Sequence, residues 1–208
     1  MGGSRTPIGV LALQGDVAEH RLMLEGLGAA VVEVRQCKDL TGISGLVIPG
    51  GESTVIDKLT RIFGLHGPLR GLIAEGMPVL GTCAGMIMVA DRLEDAIAGQ
   101  ETLGGLDVTV KRNAFGSQKE SFDVTLDIDG VPGGPVDVSF IRAPIVTDHG
   151  DTVRVLATLP GGEIVACEAG NILALSFHPE VTGDTRLHER FLATVERAQF
   201  QAEPACEG

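Results

Sequence analysis

The sequence has no tryptophan and no tyrosine, and seven phenylalanines bring its aromatic content to only 3%. A chain so poor in flat side chains is a weak candidate for a surface that stacks nucleobases. Positive charge is also scarce: 16 Lys and Arg stand against 28 Asp and Glu, a formal charge of −12. That balance removes the electrostatic footprint that nucleic-acid binding needs. Long apolar runs are missing. The longest uncharged apolar stretch lies between Glu75 and Asp91, contains Pro78 and several glycines, and falls short of the roughly 20 residues that span a bilayer. Ile8–Leu13 is too short for a signal-peptide core, and Gln14-Gly15-Asp16 breaks it with no small-x-small cleavage site behind. Cys37, Cys83, Cys167 and Cys206 form no CxxC pair, so neither a zinc site nor a disulfide framework is indicated. The expectation is a cytoplasmic chain with free thiols, no membrane segment and no metal.

What is present is a 44% hydrophobic content, enough for a core, and 29 glycines in 208 residues. The length fits one domain of roughly 100–200 residues. We expect residues 1–201 to form it and 202–208, with Glu203-Pro204-Ala205-Cys206, to be a loose tail.

The first half alternates strand and helix. Ile8–Leu13 is a short apolar run of the kind buried on both faces of a sheet. Asp16, three residues before Glu19, reads as a helix start of the capping-box type, and Gly28 fits its stop. Val17, Leu24 and Leu27 recur at helical spacing between them. Val31–Val34, Leu46–Ile48 and Pro78–Gly81 read as strands; Ser53–Phe63, Leu69–Glu75 and Ala84–Leu93 read as helices. Such alternation implies a parallel sheet covered on both faces. The second half changes character. Phe122, Val124, Leu126 and Ile128 alternate with polar residues, as in a half-exposed strand. Val136–Ile141, Val153–Thr158, Glu163–Glu168 and Ile172–Phe177 also read as strands, and Asp184–Phe200 as a last helix with Leu187, Phe191, Leu192 and Val195 as its buried stripe. The expected fold is an α/β three-layer sandwich around a flavodoxin-like, mostly parallel sheet with some antiparallel strands. In such sheets ligands bind at the carboxyl ends of the strands.

Three segments carry candidate chemistry. Gly81-Thr82-Cys83-Ala84-Gly85 has the G-x-Cys-x-G form of a nucleophile elbow between a strand and a helix. The tight turn needs small neighbours, a helix N-terminus favours thiolate, and the N–H of Ala84 would face a developing oxyanion. The plainer alternative is an inert buried cysteine in a packed turn. Ser176-Phe177-His178-Pro179-Glu180 offers a base and an orienting acid. The residue before proline is biased to extended geometry, which lets His178 and Glu180 project to one side. The alternative is a loop histidine beside a solvated glutamate. His20, His66, His149 and His188 are expected at the surface. Pro49-Gly50-Gly51-Glu52-Ser53-Thr54 lets backbone N–H groups approach a ligand and could supply half an oxyanion hole. A plain turn capped by Ser53 is the alternative; no Gly-Lys-Ser/Thr follows to make a phosphate loop.

Taken together and in this order, these segments resemble the class I, triad-type glutamine amidotransferases. Ala12-Leu13-Gln14-Gly15-Asp16, the Pro-Gly-Gly-Glu-Ser-Thr segment, Arg112-Asn113-Ala114-Phe115-Gly116, Phe140-Ile141-Arg142-Ala143-Pro144 and the His-Pro-Glu segment look like the glutaminase-subunit family of pyridoxal 5'-phosphate synthase. The resemblance spans about residues 8–195. It implies a glutaminase that converts L-glutamine to L-glutamate and ammonia through a Cys83–His178–Glu180 triad and a glutamyl thioester. It implies an oxyanion hole at Gly51 and Ala84, and glutamine held by Gly51, Glu52, Ser53, Arg112, Ile141 and Arg142. It implies Gln14 at an interface with a separate synthase (lyase) subunit in a large hetero-oligomer, ammonia passing to that subunit for vitamin B6 synthesis, and no cofactor. One departure is visible: Ser117-Gln118 stands where the family often has Arg-Gln. The rivals are a free-standing cysteine hydrolase on the same fold, such as a gamma-glutamyl peptidase, and an inactive binding subunit.

Overall fold

The computed structural model describes residues 7–114 and 121–202. Phe115, Gly116, Ser117 and Gln118 of the motif and the tail from Glu203 lie outside those residues. The chain runs β1 (Ile8–Leu11), α1 (Val17–Gly26), β2 (Val31–Val34), a short 3-10 turn at Cys37–Leu40, β3 (Gly45–Ile48), α2 (Ser53–Ile62), α3 (His66–Ala74), β4 (Val79–Thr82) and α4 (Ala84–Val89). It continues with β5 (Ala90–Glu94), β6 (Leu106–Lys111), β7 (Ser121–Leu126), β8 (Val136–Ile141), β9 (Ile145–His149), β10 (Arg154–Thr158), β11 (Ile164–Ala169), β12 (Ile172–Leu175), α5 (Pro179–Thr182) and α6 (Arg186–Ala202).

The main sheet runs β2-β1-β3-β4-β12-β11-β9-β6-β5, with β10 paired to β11. Its first five strands are all parallel. Their 2-1-3-4-then-last order is that of the flavodoxin-like sheets. Beyond β12 the neighbours turn antiparallel, apart from β5 beside β6. β7 and β8 form a separate hairpin ribbon.

Side-chain alternation along the parallel strands builds two cores. Leu46 and Ile48 of β3, Val79 of β4, and Ile172 and Ala174 of β12 pack on one face with Ile56, Leu69 and Met86 from α2, α3 and α4. Val47, Leu80, Leu173 and Leu175 point to the other face, where Leu24 of α1, Leu187, Phe191 and Val195 of α6 and the inner side of β7–β8 meet them. Strands buried on both faces need apolar residues at every position, which these have. α2 buries Ser53, Ile56, Asp57 and Thr60 at helical spacing, three of them polar: Asp57 pairs with Arg61, Thr60 bonds the Asp57 carbonyl and Ser53 accepts from Gln100. Phe140 of β8 stacks on Phe122 at 4.8 Å and meets Phe177 edge-on at 5.6 Å, anchoring the chain one residue before His178.

Several expectations are corrected. The helix expected over Ala84–Leu93 stops at Val89, and Ala90–Glu94 continues as β5. A short apolar run reads equally as helix or strand. Cross-strand bonds decide it: Arg92 donates to Asp107 at 2.6 Å and to Thr109 at 2.9 Å. β6 and β9 were not anticipated, although Leu106, Val108 and Val110 are buried at period two in β6. His20 and His188, expected at the surface, have no exposed area; His66 is half-buried and His149 exposed. Both buried histidines fall within helical stripes, His20 four residues before Leu24 and His188 beside Leu187.

Two glycines on helices separate steric need from conformational cost. A Cβ on Gly85 of α4 would fall on the carbonyl oxygen of Ile48, whereas a Cβ on Gly26 at the end of α1 meets nothing within 4 Å. Gly85→Ala is expected to cost at least about 3 kcal/mol through overpacking. Gly26→Ala is expected to stabilise by about 0.5 kcal/mol through loss of unfolded-state entropy. Denaturant midpoints of the two variants check this; equal effects would contradict the packing account.

Candidate active site

β1, β3, β4 and β12 end at one edge of the sheet, and the segments after them converge there: Gln14–Asp16, Gly50–Glu52, Cys83 and His178. They line a cleft of about 220 Å³ with Ser53, Ile87, Arg112, Asn113, Ile141 and Arg142. Every candidate residue lies on this cleft except Glu180, which is buried behind His178, and Ala84, which follows Cys83 in the chain and is buried. Asp16, Ile87 and Asn113 were missed. A larger groove of about 1080 Å³ runs along α6, but its Arg154, Glu168 and Arg190 are spent on each other.

The loops touch so closely that side chains are excluded. A Cβ on Gly50 would reach 2.7 Å from Asp16 Oδ2 and strike the His178 ring. A Cβ on Gly15 would overlap the Gly50 carbonyl. The Oε1 of Gln14 accepts the Glu52 N–H at 2.6 Å, fixing the loop that carries Gly51.

Cys83 sits at φ 49°, ψ −102°, a left-handed backbone that a side chain disfavours. Asn113 and Arg142 share positive φ, so three of the four such non-glycine residues among those described line the cleft. Strain of this kind collects at functional sites. The Cys83 N–H donates to the Leu175 carbonyl at 2.7 Å, tying the elbow to the neighbouring β12, and its thiol lies 3.9 Å from the Ile141 carbonyl. Among the described residues no acceptor is found for the N–H of Gly51 or of Ala84.

His178 Nδ1 lies 2.8 Å from Glu180 Oε1 and 3.2 Å from Asp16 Oδ2. Asp16 is the N-cap residue of α1, as the helix-start reading expected, but its side chain makes no capping bond. A tertiary partner on β12's loop has claimed the carboxylate. The other ring nitrogen, Nε2, is buried and has no partner among the described residues. Burial pulls the His178 imidazolium down, but the neighbouring Asp16, Cys83 and Glu180 outweigh it and raise its pKa to about 12. Burial pushes the Glu180 carboxyl up, while His178 pulls it down. Asp16, His178 and Glu180 also place three potential metal-ligand atoms within 4.8 Å of one another. Their hydrogen bonds to the Nδ1 proton use the same atoms to orient a base.

Opposite this group, Arg112 donates to Glu52 Oε1 at 3.0 Å and to Gln100 Oε1 at 3.0 Å. Glu52, not Ser53, is the N-cap of α2, and Ser53 instead accepts from Gln100 at 3.2 Å. The cleft thus combines a strained thiol, an oriented imidazole, two unused backbone N–H groups and a positive–negative pair. That set suits nucleophilic attack on a carboxamide carried by a zwitterion.

The sequence profile of the SNO glutamine amidotransferase family matches residues 10–197. The pyridoxal 5'-phosphate synthase subunit PdxT of Clavibacter michiganensis subsp. michiganensis is 59% identical over 191 residues, 92% of this chain and 91% of that protein. Its namesake from Corynebacterium glutamicum is 56% identical over 192 residues, 91% of this chain and 96% of that one. A crystal structure of a glutamine amidotransferase superimposes with a TM-score of 0.85 at 45% identity, covering 91% of this chain and 98% of that one.

The buried histidines make stability acid-sensitive. Burial lowers His188 to about 4 and His20 well below its usual value. In the unfolded chain both titrate near 6.5, so between about pH 6.5 and 4 the unfolded state binds protons that the fold refuses. The contribution of these two histidines is therefore full above that window and is lost as pH falls through it, by about 1.4 kcal/mol per unit for each. His178, raised in the fold, is protonated in both states there and does not contribute. We expect the melting temperature to drop from pH 7 to 5, and His188→Leu to flatten the drop. An unchanged slope in that variant would refute the assignment.

Proposed function

The chain belongs to the SNO glutamine amidotransferase family, and on that premise we propose that it is a glutaminase serving pyridoxal 5'-phosphate synthesis. It hydrolyses L-glutamine to L-glutamate and ammonia. One observation carries the chemistry: a cysteine on a strained elbow and a histidine held 2.8 Å from a buried glutamate open onto one cleft.

The proposed steps use that geometry. Glutamine enters with its α-ammonium toward Glu52 and its α-carboxylate toward Arg112 and Arg142, between Ser53 and Ile141. Cys83 Sγ attacks the side-chain carbonyl carbon with its proton already resting on His178 Nε2. The oxyanion is met by the N–H groups of Gly51 and Ala84. His178 hands the proton to the departing ammonia, leaving a glutamyl thioester. It then takes a proton from water, whose attack releases glutamate and returns Cys83 and His178 to their starting state. Glu180, with Asp16 beside it, stabilises each imidazolium from the Nδ1 side, as the acid does in other triads. These steps call for no metal and no organic cofactor.

We read residues 1–201 as one glutaminase domain. The relatives are named as subunits of a synthase, and in this reading the ammonia acceptor is a separate synthase subunit in a hetero-oligomer, to which ammonia is channelled. Gln14 sits at that interface in this reading. Its bond to the Glu52 N–H gives the partner a direct hold on the Gly51 loop. No helix among the described residues is long and apolar enough to cross a membrane, and we place the complex in the cytoplasm.

Glutamate release by the chain mixed with the synthase subunit tests the reading. Cys83→Ala is expected to abolish it; retained ammonia production would sink the thioester mechanism. Arg112→Ala is expected to raise KM for glutamine about 10–100-fold with a smaller change in kcat, the loss of a charged hydrogen bond worth about 1.5–3 kcal/mol. Wild-type protein that stays inactive with its synthase would favour a binding-only subunit. Turnover of gamma-glutamyl peptides in preference to glutamine would favour the free-standing hydrolase.

A further inference from the structure

Behind the acid of the triad lies a buried polar chain with no part in the thioester steps. His20 of α1 and His188 of α6 have no exposed surface. His20 Nδ1 is 2.9 Å from His188 Nε2, with the rings tilted 45° at 5.1 Å. His20 Nε2 is 3.0 Å from Thr82 Oγ1 and 3.5 Å from Glu180 Oε1. Thr82 is itself fully buried and is the residue before Cys83. His188 Nδ1 is buried and has no partner among the described residues.

That dead end fixes the direction of every bond. Burial holds both rings neutral, so each carries one proton. An N–H buried without an acceptor is rarer and costlier than an unused lone pair. The His188 proton therefore sits on Nε2 and is donated to His20 Nδ1. His20 must then carry its own proton on Nε2, where it faces Thr82 Oγ1 and Glu180 Oε1. The donors all point toward the triad.

Glu180 lies beside that donor: its Oε1 accepts from His178 Nδ1 and is 3.5 Å from His20 Nε2, while burial favours the neutral carboxyl. A neutral carboxyl cannot stabilise the imidazolium of His178. Packing alone would be served as well by two leucines, without the desolvation of two imidazoles.

We propose that His20, aligned by His188, is a positioning residue of the triad: its Nε2–H, bonded to Thr82 at the root of the elbow and 3.5 Å from Glu180 Oε1, presents its positive end to Glu180 and keeps that carboxylate aimed at His178 Nδ1. The kinetic consequence rests on the glutaminase reading; the proton placement rests on geometry alone. The ionisable groups around Glu180 are His178 and, through it, Asp16 and Cys83, with His20 and His188 behind.

The test compares His20→Leu, which removes the donor, with His20→Gln, whose amide N–H can reach the same oxygens. In the complex with the synthase subunit, His20→Leu is expected to lower kcat about 10–100-fold while KM stays within about twofold. Without the donor Glu180 protonates more readily, so the acidic limb of kcat/KM should move up by about one pH unit. His20→Gln should stay within about fivefold of wild type with its limb unmoved. Equal losses in both variants with an unmoved limb, or a wild-type profile in His20→Leu, would overturn the proposal. Should His20→Leu fail to fold, imidazole nitrogen NMR on the wild-type chain decides. Neutral rings protonated at Nε2 on both His20 and His188 are expected, and a proton on His20 Nδ1 would overturn it. Wild type inactive toward glutamine would count against the function while leaving the NMR result standing.

Discussion

A charged hydrogen bond must survive where almost no water reaches. His178 Nδ1 and Glu180 Oε1, 2.8 Å apart, are both buried, and the surrounding architecture is arranged to keep them so. Phe177 is locked in the core between β12 and the β7–β8 ribbon, so the chain leaves the sheet at a fixed angle. The His178 N–H is held by the Ser139 carbonyl at 3.0 Å, and Gly50 leaves bare the space that the ring occupies. Breaking a buried pair of this kind by removing one member strands a charge and costs several kcal/mol.

The same edge of the sheet bears a second stress, the left-handed backbone at Cys83. Strained residues persist only where their surroundings over-determine them. Here the elbow is pinned from both sides, by its N–H to Leu175 and by the contact of Gly81 with Gly85, where a Cβ would come within 2.7 Å of backbone. Five buried residues of α4 (Ala84, Met86, Ile87, Met88 and Val89) belong to one core, and Leu80 and Leu175 to the other. Stiffness on both faces lets so short a helix hold an awkward turn.

The parallel half of the fold was legible because strands covered on both faces are written as unbroken apolar runs, as in Ile8–Leu11 and Ile172–Leu175. The stretch after Ala84 was not, since an apolar run does not declare its period until cross-strand partners such as Asp107 are known. The catalytic group was legible from short motifs whose residues sit next to each other in the chain. Asp16 marks the start of α1 as its local context says, but its place in the site was not legible, because its side chain's partner, His178, lies far along the sequence. His20 and His188 were misplaced on residue type alone. Their spacing from Leu24, Leu187 and Phe191 already placed them on buried faces.

Arg112 and Glu52 meet before any ligand arrives, and the arginine side chain is only 10% exposed. A guanidinium so enclosed needs an anion at all times. Admission to the cleft is then an exchange of counter-ions, not an addition of charge. A ligand carrying one ammonium and one carboxylate splits the resident pair into two and leaves the electrical balance of the cleft unaltered. An amide with only one of those groups would satisfy one side and leave the other's counter-charge unmatched, so in the glutamine-binding role proposed for it the pair is a filter for neutral zwitterions.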